Sequence, residues 1–164
     1  MLDPATIFEG SGPLEDPLTD QTLRAVEAEL GYRLPTAYVD LARQHNGGWL
    51  ARDAHPAPSQ TSWSEDHVGV SALAAIGRTA GFSLCGERGS AFWVAEWGYP
   101  DIGIYIAECP SDGHDMIALD YRSRGGPAVV HVDQEWNYRI TLLAPDFETF
   151  VTGLVEGSAY DVNG

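Results

Sequence analysis

Two helix signals in quick succession, with one stop between them and another after them, constrain the fold of this chain more than any other feature. The first helix is predicted to begin at Thr19, because a side-chain oxygen there can cap the free amides of a helix start. Gly31 provides the left-handed conformation that ends such a helix, and Pro35 suits the first turn of the next one. The second helix is predicted to end at Asn46-Gly47-Gly48. The pattern specifies a helical hairpin and contains no group that would carry out a reaction.

The second half of the chain has the pattern of an antiparallel sheet followed by one more helix. Ile102, Ile104 and Ile106 alternate with other residues, which predicts a strand buried on at least one face. Further strands are predicted over 116–121, 128–132 and 139–143, and Pro145 is predicted to open a terminal helix. The sequence therefore predicts an α+β fold, with an N-terminal helical hairpin, a central mainly antiparallel sheet and a C-terminal helix packed on it.

The domain organisation follows from length and local composition. A chain of 164 residues suits one domain, so residues 1–164 are predicted to form a single unit. Within it, residues 1–17 are rich in proline and glycine and are predicted to form an irregular N-terminal arm. A loop over 51–67 is also predicted, and a loop of that length indicates either mobility or a role in binding.

The charge of the chain limits its possible partners. Nine basic and 24 acidic side chains give a formal charge of −15, which opposes DNA, RNA and anionic membranes and attracts basic surfaces. A plain alternative is an acidic surface that serves only solubility. The sequence has no transmembrane-length apolar run and no secretion-signal pattern at its start, so we expect a cytoplasmic protein with no nucleic-acid and no membrane partner. Cys85 and Cys109 are expected to be reduced thiols.

One polar cluster could carry chemistry. His131 and Asp133 are two apart on a predicted strand, so their side chains leave the same face, and Asp115 lies at the end of the preceding hairpin. A histidine with two carboxylates could hold a divalent metal and activate a bound water. A structural role is favoured, because polar residues at hairpin ends satisfy turn backbone and no zinc-type ligand spacing occurs in the sequence. We expect no catalytic residue and no cofactor; a metal-dependent hydrolase is the least favoured alternative.

A series of short motifs runs through most of the chain in a fixed order. The motifs are Leu30-Gly31, Leu34-Pro35, Tyr38, Asn46-Gly47-Gly48, Trp97-Gly98-Tyr99-Pro100-Asp101, Gly113-His114-Asp115, Leu119-Asp120-Tyr121-Arg122, His131-Val132-Asp133-Gln134-Glu135 and Phe147-x-x-Phe150. This order resembles the SUKH superfamily of Smi/Knr-type proteins, and in particular its bacterial immunity-protein branch, over residues 18 to 155. The resemblance implies an α+β fold and, for most bacterial members, a protein that neutralises a polymorphic toxin. Eukaryotic relatives resemble regulators of cell-wall synthesis, so the fold alone does not fix the role.

The resemblance and the charge together predict a non-enzymatic protein that binds a cognate toxin stoichiometrically. Nuclease-type toxins carry basic clefts, to which an acidic inhibitor is steered, so the expected partner is a basic toxin domain. The alternative is a regulatory scaffold that binds a non-toxin cellular protein. The chain itself is expected to be a monomer or a weak dimer. Candidate contact residues lie in three segments: Trp63, Glu65 and Asp66 in the long loop, Asp112 and His114 at a hairpin end, and Glu135, Trp136 and Tyr138 before the last strand. Trp63 and Trp136 could equally fold back over the sheet.

Overall fold

The computed structural model describes residues 1–161, and residues 162–164 of the predicted domain lie outside the described residues. Helices α1–α5 span Pro4–Ile7, Asp20–Leu30, Thr36–Gln44, Ser90–Trp97 and Phe147–Thr152, with 3-10 turns at Gln134–Trp136 and Gly157–Tyr160. Strands β1–β8 span Gly48–Trp49, Ala54–Pro56, His67–Gly69, Ala72–Leu73, Gly103–Glu108, Asp115–Asp120, Ala128–Asp133 and Arg139–Ala144. The predicted α+β class is confirmed. Between residues 1 and 161, no helix has both the length and the apolar character that crossing a membrane requires.

Six strands form one antiparallel sheet in the order β1-β4-β5-β6-β7-β8, and β2 pairs separately with β3. The four longer strands, β5 to β8, are all predicted by the sequence, and they follow one another as a meander. Strands β1, β2 and β4 have only two or three residues each, too few to show the alternation that identifies a strand. Strand β2, Ala54–Pro56, lies in the first part of the loop predicted over 51–67, so the loop prediction is wrong for these three residues. The segment without helix or strand runs from 57 to 66.

The ends of the helical hairpin follow the local chemistry of the sequence. The Thr19 hydroxyl accepts a hydrogen bond from the Thr22 N–H at 3.2 Å, and Gly31 ends α2 with a φ of 81°. Helix α3 begins directly after Pro35. These predicted boundaries are confirmed. The Arg43 guanidinium at the end of α3 lies 2.7 Å from the Asp20 carboxylate at the start of α2, so the two helices run antiparallel, and the Tyr38 side chain of α3 is buried.

Asn46 connects three parts of the chain rather than simply ending α3, which stops at Gln44. Its side-chain amide donates to the carbonyl oxygens of Asp16 and Ile76, both at 3.1 Å, and its side-chain oxygen accepts from the Ile76 N–H at 2.8 Å. The following glycine, Gly47, has a φ of 73°, and a Cβ atom there would lie 2.6 Å from the backbone nitrogen of Ala75. The segment therefore needs both an amide side chain and a glycine.

Residues 1–17, predicted as an irregular arm, contain one helical turn and two anchored positions. Asp3 caps α1, and Phe8 forms an isolated bridge with Leu50. The Glu15 carboxylate is the second anchor, and it accepts hydrogen bonds from the Thr79 and Ala80 N–H groups and the Ser83 hydroxyl. A four-residue helix has no apolar period, so the sequence does not show it.

The C-terminal helix packs on the sheet, as predicted. The Asp146 side chain caps α5 by accepting from the Thr149 N–H at 2.7 Å. On the buried side, the Phe147 ring stacks on Tyr38 with centroids 4.7 Å apart. Helix α5 contacts α3, β7 and β8, so it closes the core between the hairpin and the sheet. The opposite end of the long strands, at the β5–β6 turn, stays accessible.

Candidate functional site

The β5–β6 turn, residues 109–114, is held by aromatic side chains from α4 and the segment after it; we call it the hairpin tip. Asp112 and Gly113 both have positive φ values, 57° and 96°. A Cβ atom at Gly113 would lie 2.9 Å from the Trp93 ring, so the tip sits directly on this indole. The buried Tyr99 hydroxyl donates to the carbonyl oxygen of Gly113 at 2.5 Å. These contacts give the hairpin tip one defined position.

The loop over 57–66 is tied to the end of β7 by Asp133, which is 1% exposed. One oxygen of its carboxylate accepts from the Ser62 N–H at 2.8 Å, and the other accepts from the Ser62 hydroxyl at 2.6 Å. A second bond, from the Thr61 N–H to the Ser64 carbonyl at 2.9 Å, closes a turn within the loop. Trp63, next to the anchored serine, is therefore presented from a fixed backbone.

A second buried carboxylate, Asp115, fixes the hairpin tip to the sheet. Ser111 donates its hydroxyl to one carboxylate oxygen, and the His131 Nε2 atom lies 2.7 Å from the other. Because a carboxylate accepts, this contact places the imidazole proton on Nε2. The other ring nitrogen, Nδ1, has no hydrogen-bond partner within residues 1–161. Asp115 lies directly opposite Asp133 across β6 and β7, so the two anchors share one face of the sheet.

The potential metal ligands differ from the predicted set. The structure groups Asp115 and His131 with Cys109, whose ligand atoms all lie within 4.8 Å of one another, and Asp133 is bonded to Ser62 instead. Burial raises the pKa of the Cys109 thiol well above its ordinary value, and the negative charge of Asp115 acts in the same direction. A cysteine binds zinc as a thiolate, and this environment disfavours the thiolate of Cys109. Asp115 is held in the cluster by its bonds to Ser111 and His131, and a structural role for these residues stays a prediction.

Two concave regions flank the hairpin tip. The loop-side cleft is lined by Ser62, Trp63, Ser111, His114, Asp115, Glu135 and Trp136. The helix-side cleft includes Trp49, Trp93, Trp97, Glu108 and Asp112. All five tryptophans of the chain therefore line one cleft or the other. Three of them are exposed to solvent, with exposed fractions of 49% for Trp49, 45% for Trp63 and 39% for Trp136.

The loop-side cleft combines residues from the three segments that the sequence singles out. Trp63, His114, Glu135 and Trp136 line it together, and Asp112 lines the helix-side cleft. The other three predicted contact residues, Glu65, Asp66 and Tyr138, are not among the lining residues of either cleft.

Two of those three residues have identifiable contacts elsewhere. Asp66 pairs with His67 at 2.8 Å, and the Tyr138 hydroxyl donates to the Trp97 carbonyl. The sequence does not predict Trp49 as a contact residue or Cys109 as a potential metal ligand. The signal available for Trp49 was a large aromatic residue directly after a glycine turn, and Cys109 has no local signal.

The charges lining both clefts are mainly negative. In the loop-side cleft, the His114 ring lies 2.7 Å from the Glu135 carboxylate, and Asp115 adds a second carboxylate. In the helix-side cleft, burial raises the pKa of Glu108, and the Arg88 guanidinium 3.6 Å away acts in the opposite direction. Tryptophan is among the residue types most often found at energetically important protein contacts, and carboxylates beside it favour a basic partner.

Accessible tryptophans grouped at one end of a molecule commonly mark an interaction site. The chain belongs to the SMI1 / KNR4 family (SUKH-1), whose family model matches residues 17–153. The predicted resemblance to the SUKH superfamily is therefore confirmed, and membership of its bacterial immunity-protein branch stays a prediction. A search of curated proteins and a search of solved structures each found no significant match. The family generally consists of non-enzymatic immunity and binding proteins, which supports a protein-binding role at the level of the family.

Proposed function

We propose that this chain is a cytoplasmic immunity protein that binds a basic, nuclease-type toxin domain one to one and blocks its active cleft. The proposed contact surface is the hairpin tip with its two flanking clefts. Trp63, Asp112, His114, Glu135 and Trp136 are the predicted contact residues that we retain in it, and Trp49 is added. Tyr138 is given a packing role instead.

The observation that carries this proposal is the placement of the tryptophans. Three indoles with 39% to 49% of their surface exposed surround a single turn, although an exposed tryptophan leaves a large apolar area in water. Exposed apolar groups that cluster in one place commonly mark an interaction site. Buried interface tryptophans are also among the residues whose removal costs most binding free energy. A single interface that covers this end of the molecule would account for all three side chains.

The anchoring of the surface also supports binding. Asp133 fixes the long loop through Ser62, and Asp115 fixes the hairpin tip through Ser111. A surface that is already ordered loses less conformational entropy when a partner arrives, so more of the contact free energy remains as affinity. This arrangement suits an inhibitor that has to bind tightly without a catalytic step.

The test begins with the protein encoded beside this gene. Its toxin domain, made catalytically inactive, should form a 1:1 complex with the full chain in size-exclusion chromatography with light scattering. Trp136→Ala should weaken that complex by about 30-fold or more, the change expected for a central tryptophan contact. Leu142→Ala is the matched control, because Leu142 is an even more accessible apolar residue, 57% exposed against 39% for Trp136, and it lines neither cleft. Loss of binding in both variants, or in neither, would contradict the proposed surface.

Electrostatic steering provides a second test of the same function. With a formal charge of −15, the chain should associate with a basic domain more slowly as salt rises, because charges beyond about 8–10 Å are screened at physiological salt. Stopped-flow measurements between about 0.02 and 0.15 M salt would show this decrease. Binding only to a non-toxin protein would instead favour the regulatory-scaffold function. Turnover of a small molecule that required His131 would favour a hydrolase.

A further inference from the structure

The loop-side cleft has the composition of a site for one planar cation. The indoles of Trp63 and Trp136 line it, and Glu135 adds a carboxylate whose side chain is 53% exposed. Asp115, only 2% exposed, is also among the lining residues, and its carboxylate accepts from Ser111 and contacts His131. Aromatic faces attract cations through the negative potential above the ring, and a nearby carboxylate strengthens that attraction.

The charge balance of the cleft favours a cation even in the least favourable protonation state. Within residues 1–161, the lining includes two carboxylates and no lysine or arginine. If His114 is counted as fully protonated, the net charge of the lining is still −1, and with a neutral ring it is −2. An anionic ligand is therefore repelled in both states.

The chain itself already pairs one of these indoles with a guanidinium group. The Arg139 guanidinium carbon lies 5.9 Å from the centroid of the Trp136 ring. The same guanidinium donates to the Gln60 carbonyl at 3.4 Å and to the Ser59 hydroxyl at 3.2 Å, so it spans from the indole to the long loop. Arg139 is not among the lining residues of the loop-side cleft, which leaves the cleft open to a second cation.

We propose that the loop-side cleft binds an arginine side chain of the partner protein, with the guanidinium group against Trp63 and Trp136 and directed to Glu135. Arginine is preferred to lysine because a planar, weakly hydrated guanidinium stacks on an indole and forms paired hydrogen bonds with a carboxylate. The proposal rests on the proposed function only in assigning that arginine to a toxin. The affinity of the cleft for a guanidinium group can be measured without any partner.

The probe is N-acetyl-arginine-methylamide, titrated to about 20 mM into the ¹⁵N-labelled full chain and followed by NMR. The five tryptophans give five indole N–H signals. Those of Trp63 and Trp136 should shift and saturate, and that of Trp49, in the other cleft, should not. The matched neutral control is the citrulline derivative, which keeps the shape but has no charge and should bind about tenfold more weakly. The lysine derivative should also bind more weakly. Equal shifts with citrulline or lysine, or shifts spread over all acidic residues, would overturn the proposal.

Two variants locate the site. Glu135→Gln keeps the size of an exposed side chain and should weaken arginine binding about three- to tenfold while the rest of the spectrum is unchanged. Trp136→Ala should abolish saturation, and a dispersed amide spectrum would show that the variant still folds. Arginine binding with no toxin binding would contradict the proposed function and leave the cleft proposal standing. Toxin binding that Trp136→Ala weakens, with no arginine response in the natural chain, would overturn the cleft proposal alone.

Discussion

Replacement of Asn46 should be among the most damaging single changes in this fold, although the residue is small and polar. Its side chain is 2% exposed and makes three hydrogen bonds to backbone groups of two distant segments. Asn46→Ala removes all three bonds at once and leaves two carbonyl oxygens and one N–H group without that partner. The change removes little apolar packing, so its effect measures the hydrogen bonds.

The size of the effect follows from those three bonds. A typical intramolecular hydrogen bond contributes about 0.5–1.5 kcal/mol net, and a buried group left unsatisfied costs about 1–3 kcal/mol. Some of the three groups would regain water, because Asp16 lies in a partly accessible segment. We therefore expect Asn46→Ala to lower the free energy of unfolding by about 2–5 kcal/mol, a large part of the stability of a typical domain.

A second substitution at the same position gives a pH signature. Asn46→Asp keeps the oxygen that accepts from Ile76 but turns a carboxylate toward two carbonyl oxygens. Burial and these carbonyls would raise the pKa of the new carboxyl group in the folded state. Its contribution to stability is then present below the unfolded pKa of about 3.9 and is lost as pH rises through the raised folded pKa. Relative to Asn46→Ala, this variant should be less stable at pH 7 than at pH 4.

Urea denaturation, followed by circular dichroism and tryptophan fluorescence, would measure the free energy of unfolding of each variant. The dependence of that free energy on urea concentration should be the same for all variants, since only stability is expected to change. Gln44→Ala, two residues earlier on the exposed side of α3, is the control and should stay within about 0.5 kcal/mol of the natural chain. An Asn46→Ala variant as stable as this control would refute the reasoning, because the three bonds would then contribute nothing net.

Three further predictions rest on other parts of the structure. Gly31→Ala and Gly47→Ala both place a side chain at positive φ, but only at Gly47 would the new Cβ meet backbone atoms. Thermal unfolding should therefore show a loss of unfolding free energy of about 1 kcal/mol for Gly31→Ala and about 3 kcal/mol or more for Gly47→Ala. Equal losses for the two variants would contradict this. Burial raises the pKa of Cys85 to about 12 and that of Cys109 well above its ordinary value. A thiol reagent at pH 8 should therefore label both cysteines only after unfolding. Rapid labelling of the native protein would contradict these raised pKa values. The buried Thr141 hydroxyl has no hydrogen-bond partner within residues 1–161. Thr141→Val should therefore leave the free energy of unfolding unchanged or raise it by about 1 kcal/mol in denaturant titrations. A decrease of about 1 kcal/mol would mean that the hydroxyl is hydrogen-bonded.

The parts of the fold that the sequence predicts are those set by neighbouring residues. Thr19 caps α2 and Gly31 ends it through contacts within a few positions, so their types alone identify the boundaries. The longer strands β5 to β8 have enough residues to show periodicity. Strands β1 and β4 exist only because they pair with each other and with β5, and a two-residue strand has no pattern of its own. Their positions therefore depend on tertiary packing that the sequence does not display.

The site divides in the same way. The two-residue spacing predicts that His131 and Asp133 share a face, and both are buried on the side where Asp115 faces them. Their partners are less predictable: Asp133 binds Ser62, which is 71 positions away in the chain. A serine hydroxyl in a loop is too common to identify such a bond in advance. The sequence thus indicates that the polar residues are buried but not what they hold.

The bonds that these aspartates make explain how a fold of this kind could vary what it recognises. Apolar residues would pack at positions 115 and 133 without the cost of burying a carboxylate, so each aspartate has to be compensated by the loop or turn that it holds. The two aspartates hold Ser62 and Ser111. The side chains that face solvent, Trp63 and Asp112, are the next residues in sequence. A substitution at the neighbouring positions changes the contact surface and leaves the anchoring bonds in place. In the proposed surface, recognition and stability would therefore depend on adjacent but separate residues, and the contact residues could change while the sheet keeps its register.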